Sequence, residues 1–139
     1  MKIFITGTPK SEKESILEIM IPRYSKILPK GEYMKLGKEG TPKKHDAGRK
    51  HMIVVGDIIE KTPHGYQVVN KEFLHTVKPD MTVVLHAETD NPEINEWQDM
   101  IKIYCLTNFS GRLKVISVNE GNVKDAIKEL AYTLKNAFV

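Results

Sequence analysis

Apolar positions along the chain alternate between short unbroken runs and stretches with a helical repeat. Lys2-Ile3-Phe4-Ile5-Thr6 is β-branched and aromatic and stops at Gly7, which predicts a buried strand that delivers the chain to a turn. Ser11 is then the expected N-cap of a helix that places Ile16, Ile19 and Met20 on one face, at i, i+3 and i+4, and ends before Pro22. Further strands are expected over residues 32–36 and 51–55, the latter closed by Gly56 and Asp57. Thr62-Pro63-His64-Gly65-Tyr66 is a turn signal, followed by a short extended piece at 67–69 and a brief helix at 72–74. Residues 81–85 are apolar apart from Thr82, as suits a central parallel strand covered on both faces.

The second half repeats the alternation. Ile94, Trp97, Ile101, Tyr104 and Cys105 recur at helical spacing over 93–107, with Trp97 expected to pack on the sheet. Residues 113–118 form the last expected strand. Asn122 is the expected cap of a final helix, with Val123, Ile127, Leu130, Leu134 and Phe138 along one side and Asp125 at the capping-box position. Strands alternating with helices predict an α/β fold, a parallel sheet with helices on both faces.

Composition narrows the setting. The chain has 139 residues, enough for one domain with its own core but not for two. No window holds the roughly 18 uninterrupted apolar residues of a membrane span. The N-terminus shows neither a signal peptide nor a transit peptide, so the cytoplasm is the expected compartment. A single cysteine, Cys105, excludes an internal disulfide and a cysteine-based zinc site, and reads as a small buried hydrophobe. His45, His51, His64, His75 and His86 form no pair at i, i+4, so no metal site is expected. The net charge of +3 is concentrated: Lys35, Lys38, Lys43, Lys44, Arg49 and Lys50 face only Glu39 and Asp46. The stretch 37–50 has no periodicity and three glycines, which predicts a flexible basic loop. Lys43, Lys44, Arg49 and Lys50 are its candidate anion-binding residues, against the plainer reading of a solvated loop.

The first turn carries the chemistry. A strand, then Gly7-Thr8-Pro9-Lys10-Ser11-Glu12-Lys13-Glu14, then a helix has the architecture of a phosphate-binding Walker A loop. That loop uses its second glycine to let backbone amides wrap the phosphates, its lysine to reach the β and γ phosphates, and its hydroxyl to hold magnesium. Gly7 and Lys13 hold their places, whereas Glu12 stands for the glycine and Glu14 for the hydroxyl, with Ser15 one position late. Gly7, Thr8, Pro9, Lys10, Ser11, Lys13 and Ser15 are therefore the candidate phosphate-binding residues of a degenerate loop. Asp57, at a strand end, is a candidate carboxylate on the metal side.

These features, taken with Phe4-Ile5-Thr6-Gly7-Thr8-Pro9, Thr62-Pro63-His64-Gly65-Tyr66, Lys78-Pro79-Asp80-Met81-Thr82-Val83-Val84 and Lys114-Val115-Ile116 in their order, resemble the archaeal-type adenylate kinases over nearly the whole length. The resemblance implies a three-layer P-loop fold with five parallel strands, binding of ATP or ADP with Mg2+, and phosphoryl transfer to AMP, with Lys13 and Asp57 as the catalytic candidates. It places the adenine against Asn119, Glu120 and Gly121. The chain also departs from the family. Glu88-Thr89-Asp90-Asn91-Pro92 leads directly into a helix where a lid with arginines is expected, the basic loop 37–50 replaces the monophosphate-binding segment, and Val55 and Asp57 stand where an aspartate and a histidine are expected. The expectation is an adenylate-kinase-like, nucleotide-binding protein with impaired or lost transfer. The alternative is a binding module that contacts RNA, the ribosome or a protein through residues 35–50.

Overall fold

The structure is a computed structural model that describes residues 1–36 and 51–138, without the side chain of residue 32. The loop 37–50, with Lys43, Lys44, Arg49 and Lys50, lies outside the described residues. The chain is α/β. In order it forms β1 (Lys2–Thr6), a single 3-10 turn (Pro9–Ser11), α1 (Lys13–Arg23), β2 (Glu32–Lys35), β3 (Met52–Val55), β4 (Ile59–Thr62) and β5 (Gly65–Val68). It continues with α2 (Lys71–Val77), β6 (Met81–Ala87), α3 (Pro92–Asn108), β7 (Arg112–Val118) and α4 (Val123–Ala137).

Five strands make one sheet in the order β2-β3-β1-β6-β7, all parallel, with helices on both faces, consistent with a three-layer P-loop-like fold. β1 lies at the centre, with Ile3 opposite Ile53 on one side and Met81 on the other. The period of two in a strand then divides the core. Ile3, Ile5, Ile53, Val55, Val83 and Leu85 face the layer of α1 and α4, where Ile16, Leu17, Met20, Ile127, Leu130 and Leu134 meet them. Phe4, Met52, Val54 and Val84 face the other layer, against Phe73, Leu74, Ile101 and Cys105 of α2 and α3. The central strands are apolar throughout for this reason, whereas the edge strand β7 buries only Ile116 and Val118.

Several expectations shift in detail. Ser11 does not cap α1; its hydroxyl donates to the Thr8 carbonyl at 2.7 Å inside the 3-10 turn. The helix passes through Pro22 and closes when Tyr24 N–H donates to the Met20 carbonyl, because a proline in the last turn removes only one bond of the ladder. The buried stripe of α1 is Lys13, Ile16, Leu17 and Met20, while Ile19 is 43% exposed. Residues 59–68 form an antiparallel hairpin, Ile59 opposite Val68, around Pro63 and His64. Thr62 Oγ1 holds this turn, donating to the Gly65 carbonyl and accepting from His64 N–H. Trp97 packs on this hairpin as well as on the core: its indole N–H donates to the Ile59 carbonyl at 2.9 Å and its ring lies 6.5 Å from that of Tyr66. Asn122 sits at the start of α4, yet its side chain accepts no backbone N–H and instead donates to Asp125 Oδ2.

Gln98 was not anticipated. β6 runs three residues beyond the β1 register, which ends at Thr6 opposite Val84, so the Ala87 peptide groups have no strand beside them on that side. The fully buried amide of Gln98 replaces that strand: Oε1 accepts from Ala87 N–H at 2.6 Å and Nε2 donates to the Ala87 carbonyl at 3.0 Å. Leaving both backbone groups buried and unmet costs about 1–3 kcal/mol each before any water enters. Gln98→Ala is expected to lower stability by about 2–3 kcal/mol in urea titrations, far more than truncation of exposed Gln67.

Cys105 lies in the α2–α3 layer at 3% exposure, and burial pushes its thiol up to about 12. Its folded-state value is raised above the ordinary one, so its contribution to stability is complete below about pH 8.5 and is lost as pH rises toward 12. Thiol titration at pH 8 should find it unreactive in the folded chain and reactive once the chain is unfolded.

Candidate functional site

The loop between β1 and α1 stands at the edge of the sheet where the strands end, where ligands of open α/β sheets gather. Gly7 is needed there because a Cβ would lie 2.6 Å from both the Leu85 carbonyl oxygen and Ser11 Oγ. The backbone of Glu12 adopts the left-handed conformation, φ 55° and ψ 38°, and delivers the chain into α1. A glycine would take this conformation without strain; a residue with a side chain pays about 1–2 kcal/mol. The turn at residue 12 is therefore made by a glutamate, at that cost.

Two expected phosphate donors are already used. Ser11 N–H donates to the Thr8 carbonyl and Glu12 N–H to the Pro9 carbonyl, both at 3.0 Å, and Pro9 has no N–H. The amides at the start of α1 have no acceptor in the preceding turn and remain the helix's anion-facing groups. Thr8, 1% exposed, keeps its hydroxyl buried with no hydrogen-bond partner among the described residues, and so does Thr6.

Lys13 is the centre of the site. It occupies the first position of the buried stripe of α1, so its side chain turns under the helix toward the sheet, and only 8% of it is exposed. Its ammonium lies 2.7 Å from Asp57 Oδ1. Asp57 follows β3 and is anchored through its backbone: Asn70 Nδ2 donates to its carbonyl at 2.8 Å. Sequence positions 13 and 57 are thus joined by the order of strands, since β1 and β3 are neighbours and their ends share one edge.

A cavity of about 400 Å³ opens beside this pair, lined by Pro9, Glu12, Lys13, Glu14, Ser15, Leu36, Gly56 and Asp57. A smaller one of about 140 Å³ lies on the other side of the loop, between Lys10, Glu12, Glu88 and Glu120. Here stand the residues expected against an adenine. Asn119 Oδ1 accepts from Gly121 N–H at 2.9 Å, and Glu120 lies 3.8 Å from the Lys10 ammonium. Each cavity carries three carboxylates and one lysine, and in each the lysine already has a carboxylate beside it. A bare anion would meet repulsion in both. Among the described residues no group of three or more His, Cys, Asp or Glu side chains is arranged to hold a metal ion. Glu14 and Asp57 nevertheless line one cavity, and magnesium bound through one or two carboxylates together with a ligand's phosphate oxygens needs no third.

The structure therefore brings together Gly7, Thr8, Pro9, Lys10, Ser11, Lys13, Ser15 and Asp57, and places 119–121 beside the same loop. The carboxylates Glu12, Glu14 and Glu88 complete its lining. No protein-family model matches the chain, and no curated protein matches it.

The Lys13–Asp57 pair sets a stability test. Removing one partner of a buried pair leaves a charge in low dielectric, at about 3–5 kcal/mol, and solvent access at Asp57, 29% exposed, reduces this to about 1–3. Asp57→Ala is expected to lower stability by that amount at pH 7, and Lys13→Met, which removes the buried charge itself, by less; chemical denaturation of both variants decides.

Proposed function

We propose that this chain is an adenylate-kinase-like protein that binds a nucleotide, ATP or ADP, as its magnesium complex at the loop between β1 and α1, with phosphoryl transfer impaired or lost. The observation that carries the reading is the buried Lys13 ammonium, held at the start of α1 beside a cavity of about 400 Å³ in a loop that keeps the left-handed turn at residue 12. Magnesium supports it from the other side: a divalent ion would offset the excess of carboxylates and supply positive charge to the phosphates, with Glu14 and Asp57 as its protein partners.

Weak catalysis follows from charge. Phosphoryl transfer depends on positioning and on cations around the equatorial oxygens, and one arginine there is worth about 10³-fold or more. The described arginines, Arg23 and Arg112, stand at the end of α1 and the start of β7, at the opposite edge of the sheet. Only four residues, Glu88 to Asn91, link β6 to α3, and they carry two acids and no base. A second reading, a binding module for a polyanion, is favoured by a separate observation, the cations at that opposite edge.

Thermal unfolding of the full chain with millimolar ATP, ADP or AMP, with and without magnesium, tests the proposal. Saturation at about 100 times Kd adds ~2.7 kcal/mol, a rise of several degrees for a domain of this size. The rise is expected with magnesium, to be small without it, and to be absent in Lys13→Ala. No rise with any nucleotide would sink the proposal.

A further inference from the structure

In a parallel sheet every strand begins at one edge, and the helices that cross back end there, so residues far apart in sequence meet on one surface. Here that edge collects cations. Lys30 precedes β2, His51 precedes β3, Lys2 opens β1, Lys78 precedes β6 and Arg112 opens β7. Arg23 ends α1, Lys26 follows it, and Lys135 stands in the last turn of α4. Seven Lys and Arg thus face two acids, Glu32 and Asp80. The described residues as a whole hold sixteen of each sign, so this edge has an excess of five and the rest of the described chain a deficit of five.

Six of these cations stand apart from any described carboxylate. Arg23, Lys26, Lys30, Lys78, Arg112 and Lys135 are exposed, and among the described residues none has a carboxylate partner. The ion pairs of Lys10, Lys13, Lys35, Lys61 and Lys102 all lie away from this edge. Asp80 is engaged: its carboxylate accepts from Lys2 N–H at 2.8 Å. Helix C-termini attract cations and so account for Arg23, Lys78 and Lys135. They do not account for Lys30 and Arg112, which stand at the entries to strands.

Aromatic rings lie among the charges. Tyr132, 41% exposed, meets Tyr24 edge-on at 6.4 Å, and the Lys135 ammonium stands 5.5 Å from the centre of its ring. Phe138 packs 5.3 Å from His51, whose Nδ1 is 3.3 Å from the amino terminus. Across the sheet, between the ends of α2 and α3, a cavity of about 270 Å³ is walled by His75 and Phe109, 5.7 Å apart, with Lys78, Asn108 and Ser110 as its polar groups.

We infer that this edge binds single-stranded nucleic acid. The six cations without a carboxylate partner follow the phosphates, and the exposed rings of Tyr132 and His51 and the cavity walled by His75 and Phe109 take unstacked bases, a combination that suits a single strand better than an acidic protein, which has no bases to stack. The inference stands independently of the nucleotide site.

Fluorescence anisotropy with labelled oligo-uridine and oligo-thymidine of about twelve nucleotides tests it, the two strands separating RNA from DNA as the preferred form. Two charge-reversed variants, Lys78→Glu with Arg112→Glu and Arg23→Glu with Lys26→Glu, are compared with the parent chain and with Lys13→Ala, each first shown to unfold cooperatively. The parent is expected to bind at low salt. Each double variant should weaken binding by about tenfold or more, and its slope of log K against log salt should fall by about 1.4, at ~0.7 for each phosphate no longer neutralised. Lys13→Ala should bind like the parent. The inference is overturned by any of four results: no binding by the parent, unchanged binding in both double variants, equal weakening in Lys13→Ala, or displacement of the strand by poly-glutamate at matched charge.

Discussion

The burial of β1 on both faces is the constraint from which the molecule's arrangement follows. Ile3, Phe4 and Ile5 are each 1% exposed or less, so a strand must lie on either side and a helical layer above and below. Once β3 and β6 flank it, the end of β1 has no freedom. Gly7 must pass under the Leu85 carbonyl, the chain must turn within a few residues, and α1 must start where its first buried position falls under the helix. That position is Lys13. The ion pair with Asp57 is the consequence of a charged residue in an apolar stripe beside the end of β3, where a carboxylate stands within reach.

The sheet was legible because its central strands are short, unbroken and apolar, a pattern that only burial on both faces explains; residues 2–6 and 81–85 show it most clearly. The final helix was legible from its wide apolar stripe. The hairpin over 59–68 was only half visible. Its strands alternate weakly and Glu60, Lys61 and Gln67 lie on its surface, so the turn at Pro63 and His64 stood out while the pairing did not. The face of α1 was misread by one position because Ile19 is apolar and Lys13 is not; the stripe at 13, 16, 17 and 20 has the same spacing but begins with a charge. A lysine in phase with buried residues at a helix start was the signal that would have found it.

Within the site, sequence located the loop and Asp57, but not what joins them. Which strands are neighbours is a property of the sheet, and a list of strands in chain order leaves it open. The engagement of the Ser11 and Glu12 amides in a 3-10 turn was equally hidden, since Pro9 permits either that turn or an open loop. Gln98 illustrates a further limit: a glutamine on an otherwise apolar helix face looks like an exception until the unpaired end of β6 is seen beside it.

The excess of cations where the strands begin also gives the described part of the molecule a direction. Every strand of the five-stranded sheet starts at the edge that holds this excess, so among the described residues the charge is displaced along a single axis, parallel to those strands. In the field of any large polyanion such a body experiences a torque before contact and arrives with the starts of its strands foremost. The loop between β1 and α1 is then carried on the trailing side, open to solution.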